Sequence, residues 1–206
     1  MRWYDFFAHT YDAQLEGRYR PFRAQAVAAL EAQPGDVVLD LACGTGQNFD
    51  GIAAAIGSTG KIIGVDLSKG MLAKARARAE KAAWSNVTLI EANAELVGPA
   101  LVGVEQVDRV IVALGLTAIP NWERAFQGAW GLLRPGGRFV ILDVYAEQRT
   151  LQTWLVERLA QAHLDRLVWT PLEVSSIAFE RHDTGAAPRE FGGTLFVASG
   201  TKGEGS

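Results

Sequence analysis

The stretch that decides the fold is Val37-Val38-Leu39-Asp40-Leu41-Ala42-Cys43-Gly44-Thr45-Gly46, an apolar run followed by a turn of small residues. Continuous apolar runs of this kind are typical of parallel strands that are buried on both faces. Open α/β sheets bind their ligands at the carboxyl ends of such strands. We therefore predict a buried strand that brings Asp40 and the turn after it to a small ligand.

A second apolar run, Ile62-Ile63-Gly64-Val65, ends in Asp66. Asp66 follows Gly46 by about twenty residues, the spacing at which nucleotide-binding α/β units place a carboxylate on the ribose hydroxyls. The two runs together predict a nucleoside ligand.

The residues after the first turn disfavour two kinds of phosphate-bearing ligand. Phe49 stands where a dinucleotide site needs a third glycine, so that the helix can close over a pyrophosphate. Gln47 and Asn48 stand where a phosphate loop needs Lys followed by Ser or Thr. A nucleoside with a compact, zwitterionic tail remains.

Size and composition predict a single domain. The chain has 206 residues and is 49% hydrophobic, which suffices for one core. Its one cysteine, Cys43, excludes a disulfide framework and favours a reducing compartment. We find no signal-peptide pattern and no long apolar run, so we expect a cytoplasmic protein with at most peripheral membrane contact. The net charge of −3 argues against a nucleic-acid partner.

Strand and helix patterns alternate along the chain. Apolar runs predict strands at 37–41, 61–66, 87–91, 107–113 and 137–144, and amphipathic patterns predict helices at 69–83 and 122–133. Ser68 is the predicted N-cap of the first of these helices. Repeated β-α units require a parallel sheet. Two further strands are predicted at 176–182 and 193–199.

The loop and the strand end after it resemble those of class I S-adenosylmethionine-dependent methyltransferases. The family's acidic-x-Gly-x-Gly-x-Gly loop is similar to Asp40-Leu41-Ala42-Cys43-Gly44-Thr45-Gly46, with Ala42 in place of the first glycine. The extra methyl group narrows the loop without blocking it if the backbone of Ala42 keeps a negative φ. Gly64-Val65-Asp66-Leu67-Ser68 matches the family's ribose-binding strand end.

Three downstream segments extend the resemblance over residues 37–143. Met71-Leu72 matches the residues that flank the adenine. Glu91-Ala92-Asn93-Ala94-Glu95 resembles the segment that contacts the adenine amino group, where the family usually has Asp in place of Asn93. The carbonyl of Asn93 can still accept a hydrogen bond there. Leu132-Leu133-Arg134-Pro135-Gly136-Gly137-Arg138 resembles the family's helix-turn-strand hallmark.

This resemblance implies a Rossmann-like, doubly wound sheet of seven mostly parallel strands, with an antiparallel C-terminal edge strand and helices on both faces. It implies S-adenosylmethionine as cofactor, S-adenosylhomocysteine as product, and no metal. Backbone amides of Gly44 and Gly46 are expected to approach the methionyl moiety, and Asp66 to bind both ribose hydroxyls. The full set of implied cofactor contacts is Tyr11, Asp40, Leu41, Ala42, Cys43, Gly44, Thr45, Gly46, Asp66, Leu67, Met71, Asn93, Ala94 and Ala113.

The N-terminal segment is expected to cover the site. Residues 3–12 contain five aromatic side chains, and Tyr4, Phe7 and Tyr11 have the spacing of one helical face. The segment resembles the entry segment of the ubiquinone and menaquinone C-methyltransferases (methyltransferase type 11) and, more closely, of bacterial phospholipid and betaine-lipid N-methyltransferases. We therefore divide the chain into a helical lid at 1–33, a cofactor-binding domain at 34–200 and a loose tail at 201–206.

Absent motifs narrow the methyl acceptor. The Asp/Asn-Pro-Pro-aromatic tetrad of nucleic-acid amino methyltransferases would follow the strand at 107–113, where Ala113-Leu114-Gly115-Leu116 stands, and no Pro-Cys dipeptide occurs. We predict N-methylation of a lipid headgroup or another small molecule. The alternatives are C- or O-methylation of a quinone-type or other small aromatic metabolite, and a non-enzymatic sensor that only binds S-adenosylmethionine.

The chemistry needs few catalytic groups. The sulfonium methyl group is electrophilic, so the protein has only to align a nucleophile and accept its proton where one is released. Tyr4, Tyr11 and Tyr145 are the predicted candidates for this role, with His9 beside them. Arg18, Arg20 and Arg23 form a basic group near the expected entrance of the site. The sequence predicts no particular oligomeric state.

Overall fold

The computed structural model of the chain describes residues 17–148 and 150–204, apart from the side chain of Ala160. Their strands form one seven-stranded sheet. The strands are β1 (Val37–Leu41), β2 (Lys61–Asp66), β3 (Val87–Glu91), β4 (Val107–Ala113), β5 (Leu133–Tyr145), β6 (Ser176–Asp183) and β7 (Thr194–Lys202). The helices are α1 (17–29), α2 (Phe49–Ile56), α3 (Lys69–Lys81), α4 (Pro99–Val102), α5 (Trp122–Leu132), α6 (Leu151–Ala160), α7 (Thr170–Ser175) and α8 (Pro188–Phe191), with 3₁₀ turns at Ala94–Leu96 and Leu116–Ala118.

The sheet has the expected doubly wound topology. Its strand order is β3-β2-β1-β4-β5-β7-β6, and the first five strands in this order are parallel. The first strand, β1, is therefore central in the sheet. Strands β2 and β3 follow on one side of it, and β4 and the later strands lie on the other side. Strand order reverses between β1 and β4, which is where such sheets bind ligands. The antiparallel strand is β7, which lies between β5 and the edge strand β6.

Helices cover both faces of the sheet, as predicted. On one face the side chains of Val38, Ile62 and Ile111 pack with α1, α2 and α3. On the other face Leu39 and Ile63 pack with α4, α5 and α7. Side chains alternate between the faces along each strand, so β1, β2 and β4 supply apolar residues to both layers.

Two arginines fix α1 across the first of these faces. Arg138 donates from Nε to the Ala29 carbonyl at 2.6 Å, and Arg109 donates from Nη2 to the Glu31 carbonyl at 3.2 Å. Carbonyls at a helix C-terminus lack partners within the helix, and cations there also interact favourably with its dipole. Near the other end of α1, Tyr19 packs on Phe191 of α8, with ring centroids 4.9 Å apart. The helix thus runs from the carboxyl edge of the sheet to the opposite edge.

Several predicted boundaries are confirmed, and others differ. The first four strands have the expected bounds, and Ser68 caps α3 by accepting a hydrogen bond from the Met71 amide. Helix α3 ends at Lys81 and α5 at Leu132, slightly earlier than predicted. Strand β5 begins at Leu133, not at residue 137, because Leu133 already pairs with Val107 before the register shifts.

The expected loose tail was also placed too early. Strand β7 continues through Thr201 and Lys202, and Lys202 is buried. Its ammonium donates to the carbonyls of Trp130 and Leu133, at 2.9 Å each. These bonds cap the C-terminal end of α5, which explains why the strand extends this far.

Candidate functional site

Asp66 is the central group of the crevice at the carboxyl edge of the sheet. Its Oδ2 accepts a hydrogen bond from the Gly44 amide at 2.8 Å, and its Oδ1 accepts one from the Ser68 amide at 2.9 Å. Its backbone carbonyl accepts from the Ala92 amide at 3.0 Å. The ends of β1, β2 and β3 are therefore joined at one residue. Burial raises the pKa of Asp66, while the bonds from Ser68 and Gly44 act in the opposite direction.

The turn after β1, which we call the β1 loop (residues 42–46), has a left-handed backbone at three positions. The φ angles are +56° at Ala42, +56° at Gly44 and +75° at Gly46. The condition of a negative φ at Ala42, on which an unblocked loop was predicted, is therefore not met. The loop imposes the conformation that suits the family's glycine, and Ala42 adopts it at a steric cost.

Phe49 takes the space that a third glycine would leave open. Its ring is fully buried, and a Cβ added at Gly46 would lie 2.6 Å from it. A Cβ added at Gly64 of β2 would lie 2.9 Å from the same ring and 3.0 Å from the sulfur of Cys43. The glycines at 46 and 64 thus make room for Phe49, and the β1 loop rests on an aromatic ring.

The amides of the β1 loop are used within the protein. Gly44 donates to Asp66, and Gly46 donates to the Cys43 carbonyl at 3.0 Å. Both amides, which the resemblance placed near the methionyl moiety, therefore have an acceptor within the protein. The open side of the loop is at Gly44, where an added Cβ would meet no atom within 4 Å. A ligand can approach the backbone closely at this position.

A chain of side-chain hydrogen bonds that the sequence did not reveal lies on the other side of the loop. Asp40 is fully buried, and both of its oxygens accept from Asn48 Nδ2, at 3.2 and 3.0 Å. Asn48 Oδ1 accepts in turn from Arg23 Nη1 at 3.0 Å. Burial raises the pKa of Asp40 to about 7, although Asn48 and the charge of Arg23 lower it. The only sequence signals were Asn48 in an unusual position and Arg23 in the N-terminal basic group.

Other predicted cofactor contacts differ in their exposure, and Tyr11 lies outside the described residues. Leu67 is exposed and Met71 half-buried beside Asp66, while Leu41, Cys43, Thr45 and Ala94 are buried. Asn93 Oδ1 accepts from the Glu95 amide at 3.0 Å. The carbonyl that was expected to bind an adenine amino group is therefore already the cap of a 3₁₀ turn. Burial raises the pKa of the Cys43 thiol, which does not favour a reactive thiolate.

The turn after β4, which we call the β4 loop (residues 114–118), forms the opposite wall of the crevice. It follows the buried Ala113 at the end of β4, and Leu114 has a φ of +60°. Gly115 faces Ala42 so closely that an added Cβ would lie 2.8 Å from the Ala42 Cβ. The β1 and β4 loops thus meet across the switch point. Thr117 and Asp143, which hold the β4 loop from within, were absent from the predicted site.

Of the candidate catalytic residues, one lies in the described chain. Tyr145 ends β5, and its ring meets Trp169 edge to face with centroids 5.1 Å apart. Tyr4, Tyr11 and His9 lie outside the described residues. Within residues 17–148 and 150–204 no group of three or more His, Cys, Asp or Glu is arranged to hold a metal ion. The same part of the chain has no helix that is long and apolar enough to cross a membrane.

The geometry fits a nucleoside with an amino-acid tail. Asp66 accepts from the amides of Gly44, Ser68 and Leu67, and an ionised carboxylate has about four acceptor sites, so capacity remains for ribose hydroxyls. The open space at Gly44 allows the tail to approach the backbone, whereas the Phe49 ring packs against Gly46 and Gly64.

Comparisons with known proteins agree with this geometry. Residues 32–173 match the methyltransferase domain family. The chain is 31% identical to the 2-phytyl-1,4-naphtoquinone methyltransferase of Nostoc sp. over 173 residues, which are 80% of this chain and 74% of that protein. It is 33% identical to the demethylmenaquinone methyltransferase of Symbiobacterium thermophilum, over 68% of this chain and 57% of that protein.

A solved structure has the same fold. It is phosphoethanolamine N-methyltransferase 2 of Haemonchus contortus in complex with phosphomonomethylethanolamine and S-adenosylhomocysteine, with a TM-score of 0.72, 16% identity, and coverage of 98% of this chain and 58% of that one. The fold, the crevice and these matches lead to one conclusion: the chain belongs to the methyltransferase domain family and is a class I S-adenosylmethionine-dependent methyltransferase.

Proposed function

We propose that the protein methylates a small aromatic acceptor of the quinol type that carries a hydrocarbon tail. The observation that carries the proposal is an apolar face on α6, the helix that follows β5 at the carboxyl edge of the sheet. Leu151, Trp154, Leu155 and Leu159 are 82, 53, 48 and 40% exposed. The relatives named above, which act on a phytyl naphthoquinone and on demethylmenaquinone, support the same acceptor class.

Helix α6 exposes more apolar surface than is usual for a surface helix. Its inward side carries Thr153, which is buried and donates to the Gly192 carbonyl at 2.8 Å, and Val156, which packs against the core. Surface helices normally bury most of their large apolar side chains. The exposed leucines and Trp154 of α6 have a clear use if a hydrocarbon tail lies along them.

S-adenosylmethionine supplies an electrophilic methyl group, so the chain's own residues have only to bind and orient both reactants and accept a proton. In this proposal Asp66 accepts hydrogen bonds from the ribose hydroxyls, and Leu67 and Met71 flank the adenine. Arg23, linked to Asp40 of β1 through Asn48, is the cation that we assign to the carboxylate tail. Ala94 and Ala113 complete the pocket.

We further propose a tyrosine as proton acceptor and the N-terminal region as a lid. Attack by a quinol carbon on the methyl group forms the new C–C bond while the methyl–sulfur bond breaks and S-adenosylhomocysteine leaves; the attacked carbon then has a proton to lose. Tyr145 is the candidate in the described chain, and Tyr4 and Tyr11 are the candidates in residues 1–12. The expected lid at 1–33 was drawn too long, because α1 packs into the core with Ala26 fully buried. Removal of residues 1–12 should leave the fold intact and raise the dissociation constant of the cofactor. A truncated chain that does not fold would mean that these aromatics belong to the core.

The acceptor is tested with labelled methyl transfer from S-adenosylmethionine to a reduced naphthoquinone, with and without an isoprenoid tail. We expect transfer to both, with a lower KM for the tailed acceptor. Leu155→Gln should raise the KM of the tailed acceptor only. Val174→Gln is the matched control, because Val174 is 81% exposed on α7. Equal KM values for both acceptors in the wild type, or no transfer to either, would refute the proposal.

N-methylation of a lipid headgroup amine is the second candidate. The observation that favours it is the same apolar face, since a phospholipid also has hydrocarbon tails beside its headgroup. The fold likeness to a phosphoethanolamine N-methyltransferase is compatible with it. Phosphatidylethanolamine vesicles in the same assay distinguish the two acceptors. Label in the lipid and none in the quinol would favour the amine.

A further inference from the structure

We propose that Thr117 and Asp143 are positioning residues that hold the β4 loop at the distance from the β1 loop that methyl transfer requires. This inference rests on the proposed function, because it concerns the approach of the acceptor to the cofactor. It assigns a role to a buried carboxyl group that neither the cofactor contacts nor the candidate proton acceptors use.

Thr117 has a protein partner for every polar group that it carries. Its hydroxyl donates to Asp143 Oδ1 at 2.7 Å, and its amide donates to Asp143 Oδ2 at 3.2 Å. Its carbonyl accepts from the His163 amide at 2.8 Å. The side chain is only 2% exposed. The middle of the β4 loop is therefore fixed to the end of β5 and to the segment after α6.

Asp143 uses its carboxylate for this loop. It has no solvent exposure, and besides Thr117 it accepts from the Val144 amide at 2.9 Å. Burial raises its pKa to about 6, and the hydrogen bonds from Thr117, Val144 and Leu116 lower it. Both of its oxygens are occupied by hydrogen bonds from Thr117 and Val144, so we assign Asp143 a positioning role and not a catalytic one. Burying a carboxyl group is costly, and here it fixes a single loop.

Arg166 holds the same loop region from outside. It donates from Nη1 to the Thr117 carbonyl at 3.4 Å and to the Ile119 carbonyl, just after the loop, at 2.7 Å. The β4 loop is thus restrained on both sides, while Gly115 within it meets Ala42 across the crevice. A shift of about 1 Å in such a wall can lower a reaction rate by as much as about a hundredfold.

The test compares Thr117→Ser, which keeps the hydroxyl group, with Thr117→Val, which has the same shape without it. The rates of methyl transfer to the reduced naphthoquinone are divided by the number of cofactor sites that calorimetry detects. We expect kcat within about twofold of the wild type for T117S and reduced about tenfold or more for T117V, with the cofactor dissociation constant unchanged in both. Ser199→Ala is the control: Ser199 is also buried, and it accepts from Arg138 far from the crevice.

Two results would overturn the assignment. In one, T117V keeps the wild-type kcat per cofactor site, so that the hydroxyl group serves stability alone. In the other, T117S or S199A loses as much kcat as T117V. Amide hydrogen exchange of the wild type is the independent measurement if T117V does not fold. The Thr117 amide should be as protected as the amides of β5, and rapid exchange would refute the restraint. A wild type that methylates no acceptor but has a protected Thr117 amide would refute the proposed function and not the restraint.

Discussion

The contact between Ala42 and Gly115 allows a quantitative test of the crevice. Ala42 has a φ of +56°, and its Cβ lies 2.8 Å from where a Cβ at Gly115 would stand. Gly115 itself has a φ of −121°, which any residue can adopt. The glycine is therefore required at 115 because of the Ala42 methyl group, not because of backbone conformation. Replacing the two residues singly and together should reveal this coupling.

The magnitudes follow from the geometry. Ala42→Gly relieves about 1–2 kcal/mol of left-handed strain and loses about 0.4–1 kcal/mol through a more flexible unfolded chain, so a gain of about 0.5–1 kcal/mol is expected. Gly115→Ala should cost about 1–3 kcal/mol, the usual range for overpacking. In the double variant the nearest neighbour of the new methyl group is Val112 Cγ1 at 3.2 Å, so most of that cost should disappear. We expect a coupling energy of about 1–2 kcal/mol.

The assay is urea denaturation of the four proteins without cofactor, together with calorimetric titration of S-adenosylmethionine. Gly131→Ala is the control, since its added Cβ would meet no atom within 4 Å in α5 and should stabilise that helix. Effects at 42 and 115 that add within about 0.5 kcal/mol would refute the steric explanation. An A42G protein less stable than the wild type would contradict the left-handed backbone at Ala42.

Three further predictions concern buried polar groups. Asp66→Ala should weaken S-adenosylmethionine binding by about 1.5–3 kcal/mol in calorimetry, the range for hydrogen bonds to a charged group. Glu91→Ala, at the next strand end, should leave the affinity unchanged, and an unchanged affinity for Asp66→Ala would exclude Asp66 from the ribose site. Asp40 has a pKa raised to about 7, so its contribution to stability is complete at low pH and is lost as the pH rises from about 4 to 7. The free energy of unfolding of Asp40→Asn minus that of the wild type should therefore increase over this range by up to about 1.4 kcal/mol per pH unit, and a constant difference would contradict the raised pKa. Lys202→Met should lower the free energy of unfolding by about 1–3 kcal/mol, because two carbonyls at the end of α5 lose their donor. Lys81→Met, at an exposed position of α3, should change it little, and equal effects of the two substitutions would argue against this cap.

The confirmed predictions of strand bounds and of the α3 cap came from local sequence patterns. The bounds of β1 to β4 followed from apolar runs, and the cap of α3 followed from Ser68. Each of these depends on residues close together in the chain. The order and alternation of the elements then specified the doubly wound sheet, because β-α units can be connected in few ways.

Only the tertiary structure decided which groups meet across the crevice. The hydrogen bonds from Arg23 through Asn48 to Asp40, and those between Thr117 and Asp143, join residues from different elements. The left-handed φ of Ala42 was also visible only in the structure. A sequence pattern reports the preferences of a residue and its neighbours, whereas these contacts depend on how separate strands are aligned in the sheet. The extension of β5 to Leu133 has the same origin, since its pairing with Val107 outweighs the proline and glycines that follow. The sequence therefore determined the fold and the place of the site, and packing between distant segments determined its geometry.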